Sequence, residues 1–128
     1  MRVLLDTCTF LWLVADSPAL SPEAARIFSD PANEVYLSAV SSWEIVVKHG
    51  LGKLPLPESP SQFVPKYRKL HKITALSLDE GATLQLTRLP KYHADPFDRM
   101  LVCQAIDSGL VLLTPDPLVT QYPVKTIW

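Results

Sequence analysis

Four carboxylates far apart in the chain, Asp6, Glu44, Asp98 and Asp116, carry the chemistry this sequence can offer. Asp6 follows the apolar run Val3-Leu4-Leu5 directly. Asp116 follows Val111-Leu112-Leu113-Thr114 with one proline between them. Both positions are where a buried strand hands over to the next segment. Each acid also has an ordinary reading as a helix N-cap, and Pro117 after Asp116 suits a first helical position.

The stretch "HADPFDRMLVCQA" separates two further aspartates. Asp95 precedes Pro96 and reads as an N-cap. Asp98 is then the third helical residue, and Leu101, Val102 and Ala105 lie three, four and seven positions on. Asp98 therefore heads the stripe that faces the core. A desolvated carboxylate there is costly without a positive partner. Arg99 points about 100° away around the helix, which leaves a metal ion as the better partner for Asp98. Glu44 lies on the flank of the apolar face formed by Ala39, Val40, Trp43, Val46 and Val47. Its ordinary reading is an exposed i, i+4 pair with Lys48.

Taken together, the four acids make a stronger case than any one alone. Like charges gathered in one cleft repel, and a divalent cation relieves that cost. Oxygen-only donors, with no His or Cys cluster among them, select a hard ion such as Mg²⁺ or Mn²⁺. His49, His71 and His93 are scattered, and His93 reads as a solvated loop residue.

Those acids need a frame. Val3–Leu5, Val35–Leu37 and "LVLLT" read as buried strands, with Ile73–Leu76 and "VKTI" as weaker ones. Helices are expected over "TCTFLWLVA", over "SPEAARIFSD" capped by Ser21, and from Ser38 through Lys48. Two more are expected over Asp79–Leu89 and Pro96–Ser108, the second stopped by Gly109. The proline-punctuated "LPLPESPSQFVP" reads as a loop, with "KYRKLHK" partly helical after it. Strands alternate with helices without repeat or linker. That predicts one domain over residues 1–128, a three-layer α/β/α sandwich with a mainly parallel central sheet. Ligands in such folds bind beside the carboxyl ends of the strands.

Composition sets the outer limits. Of 128 residues, 48% are hydrophobic and 20% charged, which suits a folded core and excludes disorder. A net charge of −1 gives no global attraction to nucleic acid, so that signal must be local. Six of the twelve Lys and Arg residues fall between Lys48 and Lys72, opposed there by Glu58 alone, and Tyr67 sits in the densest part as a candidate for base stacking. Cys8 and Cys103 form no metal or redox motif and read as small buried hydrophobes. No run approaches the ~18 apolar residues of a membrane span. A soluble protein of the reducing cytoplasm is expected.

The segments "LLDTCTFLWLV", "SAVSSWEIVVKHGLGKL", "LPKYHADPFDRMLVCQAI" and "LLTPD" together resemble a PIN-domain protein, specifically a VapC-like toxin ribonuclease. The resemblance covers essentially the whole chain, with the pieces in order. It matches the family's four acids to Asp6, Glu44, Asp98 and Asp116, choosing Asp98 over Asp95. Pro115 stands where a small residue is usual. The resemblance implies endonucleolytic hydrolysis of RNA that leaves 5′-phosphate and 3′-hydroxyl ends. One or two Mg²⁺ or Mn²⁺ ions would be held by the acids, to activate water and steady the transition state. Thr7 and Thr114 would orient a carboxylate or a phosphate, and Arg99 would contact phosphate. The resemblance further implies a cognate antitoxin that fills the groove, and a homodimer.

Two other readings stay open at this point. One is an aspartate-based phosphoryl-transfer domain, although "DTCT" lacks the Asp-x-Asp of the phosphatases of that kind. The other is a non-catalytic binding module of the same fold whose acids are only caps.

Overall fold

Strand β1, Arg2–Leu5, is the centre of the molecule because its three inner residues are all buried, on alternating faces. The computed structural model describes residues 1–128 and pairs β1 on both sides. On one side lies β2, Glu34–Ser38, followed outward by β3, Thr74–Leu76. On the other lies β4, Val111–Leu113, followed by β5, Thr126–Ile127. The order is β3-β2-β1-β4-β5, and every pairing is parallel. A sheet buried on both faces needs near-continuous apolar strands, which is what these segments supply.

Side-chain alternation along the strands divides the core in two. Val3, Leu5, Leu37 and Leu113 face one layer, where they meet Phe10, Ile27, Ile45 and Phe63. Leu4 and Leu112 face the other and meet Leu101, Val102, Ala105 and Tyr122. The first layer is built on α1 (Thr7–Val14), α2 (Pro22–Ser29) and α4 (Pro60–Leu70). The second is built on α6 (Pro96–Ser108) and the short α7 (Pro117–Thr120), with α5 (Glu80–Gln85) packed on α6. Helix α3 (Ala39–Gly50) lends Ile45 to one layer and Val40 to the other. Leu4 and Leu5 are wholly enclosed, and burial of a leucine contributes about 1.5–3 kcal/mol.

Two details differ from the sequence expectation. The prolines of 54–65 do not keep that stretch in a loop, since α4 already starts at Pro60 and contains Pro65. Pro60 occupies the first turn, where no amide is missed, and the burial of Phe63 and Val64 outweighs the one interior bond that Pro65 removes. The helix expected to run to Leu89 ends at Gln85 and finishes as a 3₁₀ turn over Leu86–Arg88. The α6 boundary falls as expected, with Gly109 at φ +66°, the left-handed conformation that glycine adopts without steric cost.

The chain runs from β1 outward to β2 and β3, then returns to place β4 on the other side of β1. The order thus reverses between β1 and β4. The register aligns Leu5 with both Leu37 and Leu113. The residues just after these three positions therefore share one edge, at the crevice where open α/β sheets bind ligands.

Candidate metal-dependent active site

That crevice holds a cavity of about 410 Å³ lined by Asp6, Thr7, Cys8, Trp12, Glu44, Lys48, Asp95, Asp98, Pro115, Asp116 and Pro117. All four acids singled out in the sequence meet there, with Asp95 as a fifth. Three of the aspartates do cap helices. Asp6 Oδ1 accepts the Thr9 amide at 2.7 Å, and Asp116 Oδ1 accepts that of Leu118 at 2.9 Å. Asp95 Oδ1 takes the amides of Phe97 and Asp98. Each cap employs one carboxylate oxygen, and all three residues also line the cavity. Capping and cavity lining therefore coexist at the same residues.

Glu44 is not the exposed partner of Lys48 that its sequence position suggests. Its side chain is only 6% exposed, while that of Lys48 is 43% exposed. The Thr7 hydroxyl donates to Glu44 Oε1 at 2.6 Å, and Lys48 Nζ bonds Oε2. Ser41 Oγ lies 3.0 Å from the same threonine oxygen. The contact with Glu44 raises the pKa of Lys48, which lines the cavity as its one cationic side chain.

Arg99 does not reach the cavity, so the phosphate contact expected of it finds no support here. One residue beyond Asp98 it turns about 100° away, and its Nε is buried without a partner. Thr114 lies beneath the site, where its hydroxyl accepts the Asp116 amide at 3.1 Å. Tyr67 packs at a tilt against Phe63, 4.8 Å between ring centroids, on the edge of the first core layer, which leaves it a poor stacking platform.

The electrostatics agree with the crowding. Burial, then the charge of Asp95, push the Asp98 carboxyl up to about 6, with Glu44 and Asp116 adding to the effect against a bond from His93. Burial likewise raises Asp6, against hydrogen bonds from Thr114 and Thr9. Cys8 was expected in the core but is exposed at the rim, where partial burial and the acids raise its thiol to about 11. Cys103 is buried as expected.

His93 is the residue the sequence missed. Its side chain is 9% exposed rather than solvated, with Nδ1 2.8 Å from Tyr122 Oη and Nε2 3.4 Å from Asp98 Oδ2. Only a contact spanning 29 residues encloses it, and no local pattern announces one.

The donor set suits a hard cation: carboxylates in excess over one ammonium, with two acids raised by burial and mutual repulsion. As the side chains stand, no group of three or more His, Cys, Asp or Glu residues is close enough together to hold a metal ion by itself. Mg²⁺ keeps several of its own waters when it binds, so a loose ring of carboxylates is compatible with it.

A family model described as PIN domain matches residues 3–123. Ribonuclease VapC16 of Mycobacterium tuberculosis is 39% identical over 61 residues, which cover 48% of this chain and 43% of that relative. The matched stretch is thus less than half the length of either protein. Three solved structures share the fold. VapBC2 from Rickettsia felis, bound to a DNA fragment from its promoter, superposes with a TM-score of 0.75 at 13% identity, over 100% of this chain and 99% of that one. VapBC-1 from nontypeable Haemophilus influenzae gives 0.69 at 18%, over 99% and 97%. VapBC-5 from M. tuberculosis, of the VapBC family of toxin-antitoxin systems, gives 0.57 at 17%, over 94% and 89%.

Proposed function

Because the chain belongs to the PIN domain family, we propose that it is a metal-dependent endoribonuclease, the toxin of a toxin–antitoxin pair. The observation that carries this reading is the convergence of Asp6, Glu44, Asp98 and Asp116 on one cavity at the reversal point of the sheet. The partial match to a ribonuclease supports the activity, and likeness to VapBC assemblies supports an antitoxin partner.

Asp6, Glu44, Asp98 and Asp116 would hold Mg²⁺ or Mn²⁺. Such an ion lowers the pKa of water and neutralises charge that develops on the phosphoryl group. The rest falls to the chain itself. Thr7 and Lys48 fix both oxygens of Glu44. Asp95 caps α6 and so fixes the start of the turn that carries Asp98. The amino end of α1 opens on the cavity, where the helix dipole favours a phosphate, whereas the first amides of α6 are taken up by Asp95. Lys48 replaces Arg99 as the cation placed to meet the RNA backbone, at the start of the basic segment that runs to Lys72.

The proposal extends to a homodimer. Helix α3 leaves Trp43, Val46, Val47 and Leu51 exposed along one face, with Phe97 stacked edgewise on Trp43 at 4.8 Å. An apolar stripe of this kind is ordinarily covered by a partner surface.

The test is cleavage of a mixed single-stranded RNA pool with Mn²⁺ present or chelated. The parent should cut only with metal, and Asp6→Asn or Asp98→Asn should slow cutting by roughly 100-fold or more. Metal-independent cutting, or cutting by both variants at the parent rate, would refute it. A parent that binds RNA and metal but never cuts would identify a binding module instead.

A further inference from the structure

The amide of His93 donates to Tyr122 Oη at 3.3 Å, and Nδ1 of the same histidine lies 2.8 Å from that oxygen. On the far side of the ring, Nε2 faces Asp98 Oδ2 at 3.4 Å. For a neutral ring, these three contacts select one tautomer. A carboxylate oxygen is only an acceptor, so Nε2 must carry the hydrogen that faces it. Nδ1 is then a lone pair, and only the tyrosine hydroxyl can donate to it. The tyrosine oxygen in turn accepts the His93 amide, which closes the set with every member used.

We infer that Tyr122 and His93 act as positioning residues, a relay that holds one oxygen of Asp98 and presents the other to a bound divalent cation. This rests on the metal-site reading above. Metal ligands are commonly oriented by such outer partners, whose loss typically weakens metal binding roughly 10- to 100-fold.

Rigidity supports the assignment. Tyr122 is 3% exposed and packs in the second core layer with Leu4, Leu101 and Val119. Its ring also meets Tyr92 at 5.0 Å and His93 at 5.4 Å between centroids. The hydroxyl is therefore fixed by the core and not by the loop it holds. A clamp that served only to fasten the loop would be complete with the two bonds between Tyr122 and His93. Instead the buried imidazole aims its remaining donor at the acid that heads α6. At 3.4 Å this is a long contact, enough to bias the carboxylate without consuming it.

The experiment compares Mn²⁺ affinity, read from the paramagnetic resonance of free Mn²⁺, for the parent, Tyr122→Phe, His93→Ala and His93→Gln. Imidazole nitrogen shifts are recorded in parallel for the parent and Tyr122→Phe. Tyr122→Phe keeps the packed ring, so its fold should persist, while its dissociation constant rises roughly 10-fold. Its His93 should also show a mixture of tautomers where the parent shows Nε2–H alone. His93→Ala should lose roughly 10- to 100-fold, and His93→Gln, whose amide can still donate towards Asp98, should recover part of that loss. Tyr122→Phe and His93→Ala variants that melt earlier yet bind Mn²⁺ as the parent does would reduce the pair to a structural clamp. A parent that binds no Mn²⁺ would overturn the metal site itself, and the relay with it.

Discussion

Thr7 donates a 2.6 Å hydrogen bond to Glu44 across 37 residues of sequence, tying the start of α1 to the middle of α3. Glu44 is buried, so this hydroxyl and Lys48 are what replace the water it gives up. Removal of one partner from a buried charged acceptor costs about 1–3 kcal/mol or more. Thr7→Val, close to isosteric, should lower unfolding stability by that amount in a denaturant titration. Thr7→Ser should lose well under half as much. Equal losses in both would mean that the methyl packing of Thr7, not its hydroxyl, matters.

Asp98 gives a pH prediction with a definite sign. Its carboxyl sits near 6 in the folded protein against an ordinary value of 3.8. Between those values the native state keeps a proton that the unfolded chain has released, so metal-free stability falls as pH rises through the window. The deficit persists at neutral pH. Asp98→Asn removes it and gives up a helix-dipole interaction of about 0.3–1 kcal/mol together with the charge on the long His93 contact, while the helix cap stays because it belongs to Asp95. Without metal, the variant should melt at or above the parent temperature at pH 7.5 and vary less between pH 4 and 6. A variant that melts far below the parent would assign Asp98 a structural role.

Lys48 competes with any cation for Glu44. Lys48→Met should therefore bind Mn²⁺ more tightly, since one positive charge no longer opposes the ion or occupies Glu44. RNA cleavage should nonetheless fall, since the cation placed to meet phosphate is gone. Calorimetric titration checks the first part and a cleavage assay the second. Weaker Mn²⁺ binding would show that Lys48 organises the site instead of opposing it.

The exposed face of α3 predicts self-association. Val46 is 53% exposed, so Val46→Asp should leave the fold intact while it places a charge in the stripe beside Trp43. Sedimentation should show a dimer for the parent and a monomer for the variant. The same mass for both would place any partner elsewhere.

Much of this was legible in the sequence because it depends on local pattern. The apolar runs Val3–Leu5 and Val111–Leu113 announce buried strands, Ser21 and Ser38 mark helix starts through their hydroxyls, and Gly109 marks a helix end through its left-handed backbone. The four acids were legible because three stand next to such boundaries. What escaped depends on contacts between distant segments. The burial of Glu44 needs Thr7, and that of His93 needs Tyr122. Cys8 lies in an apolar stretch of sequence yet faces the cavity, since helix α1 turns it away from Phe10 and Leu13. Pro65 misled in the opposite sense, because tertiary packing of Phe63 and Val64 overrides its local cost.

The most direct measurement is a Mn²⁺ titration of the parent beside Asp6→Asn and Asp98→Asn, with calorimetry for affinity and melting temperature as the linked readout. The account predicts saturable binding by the parent with a rise in melting temperature. Each variant should weaken binding at least tenfold and largely lose that rise. Binding of equal strength in all three proteins, or none in the parent at millimolar Mn²⁺, would contradict it.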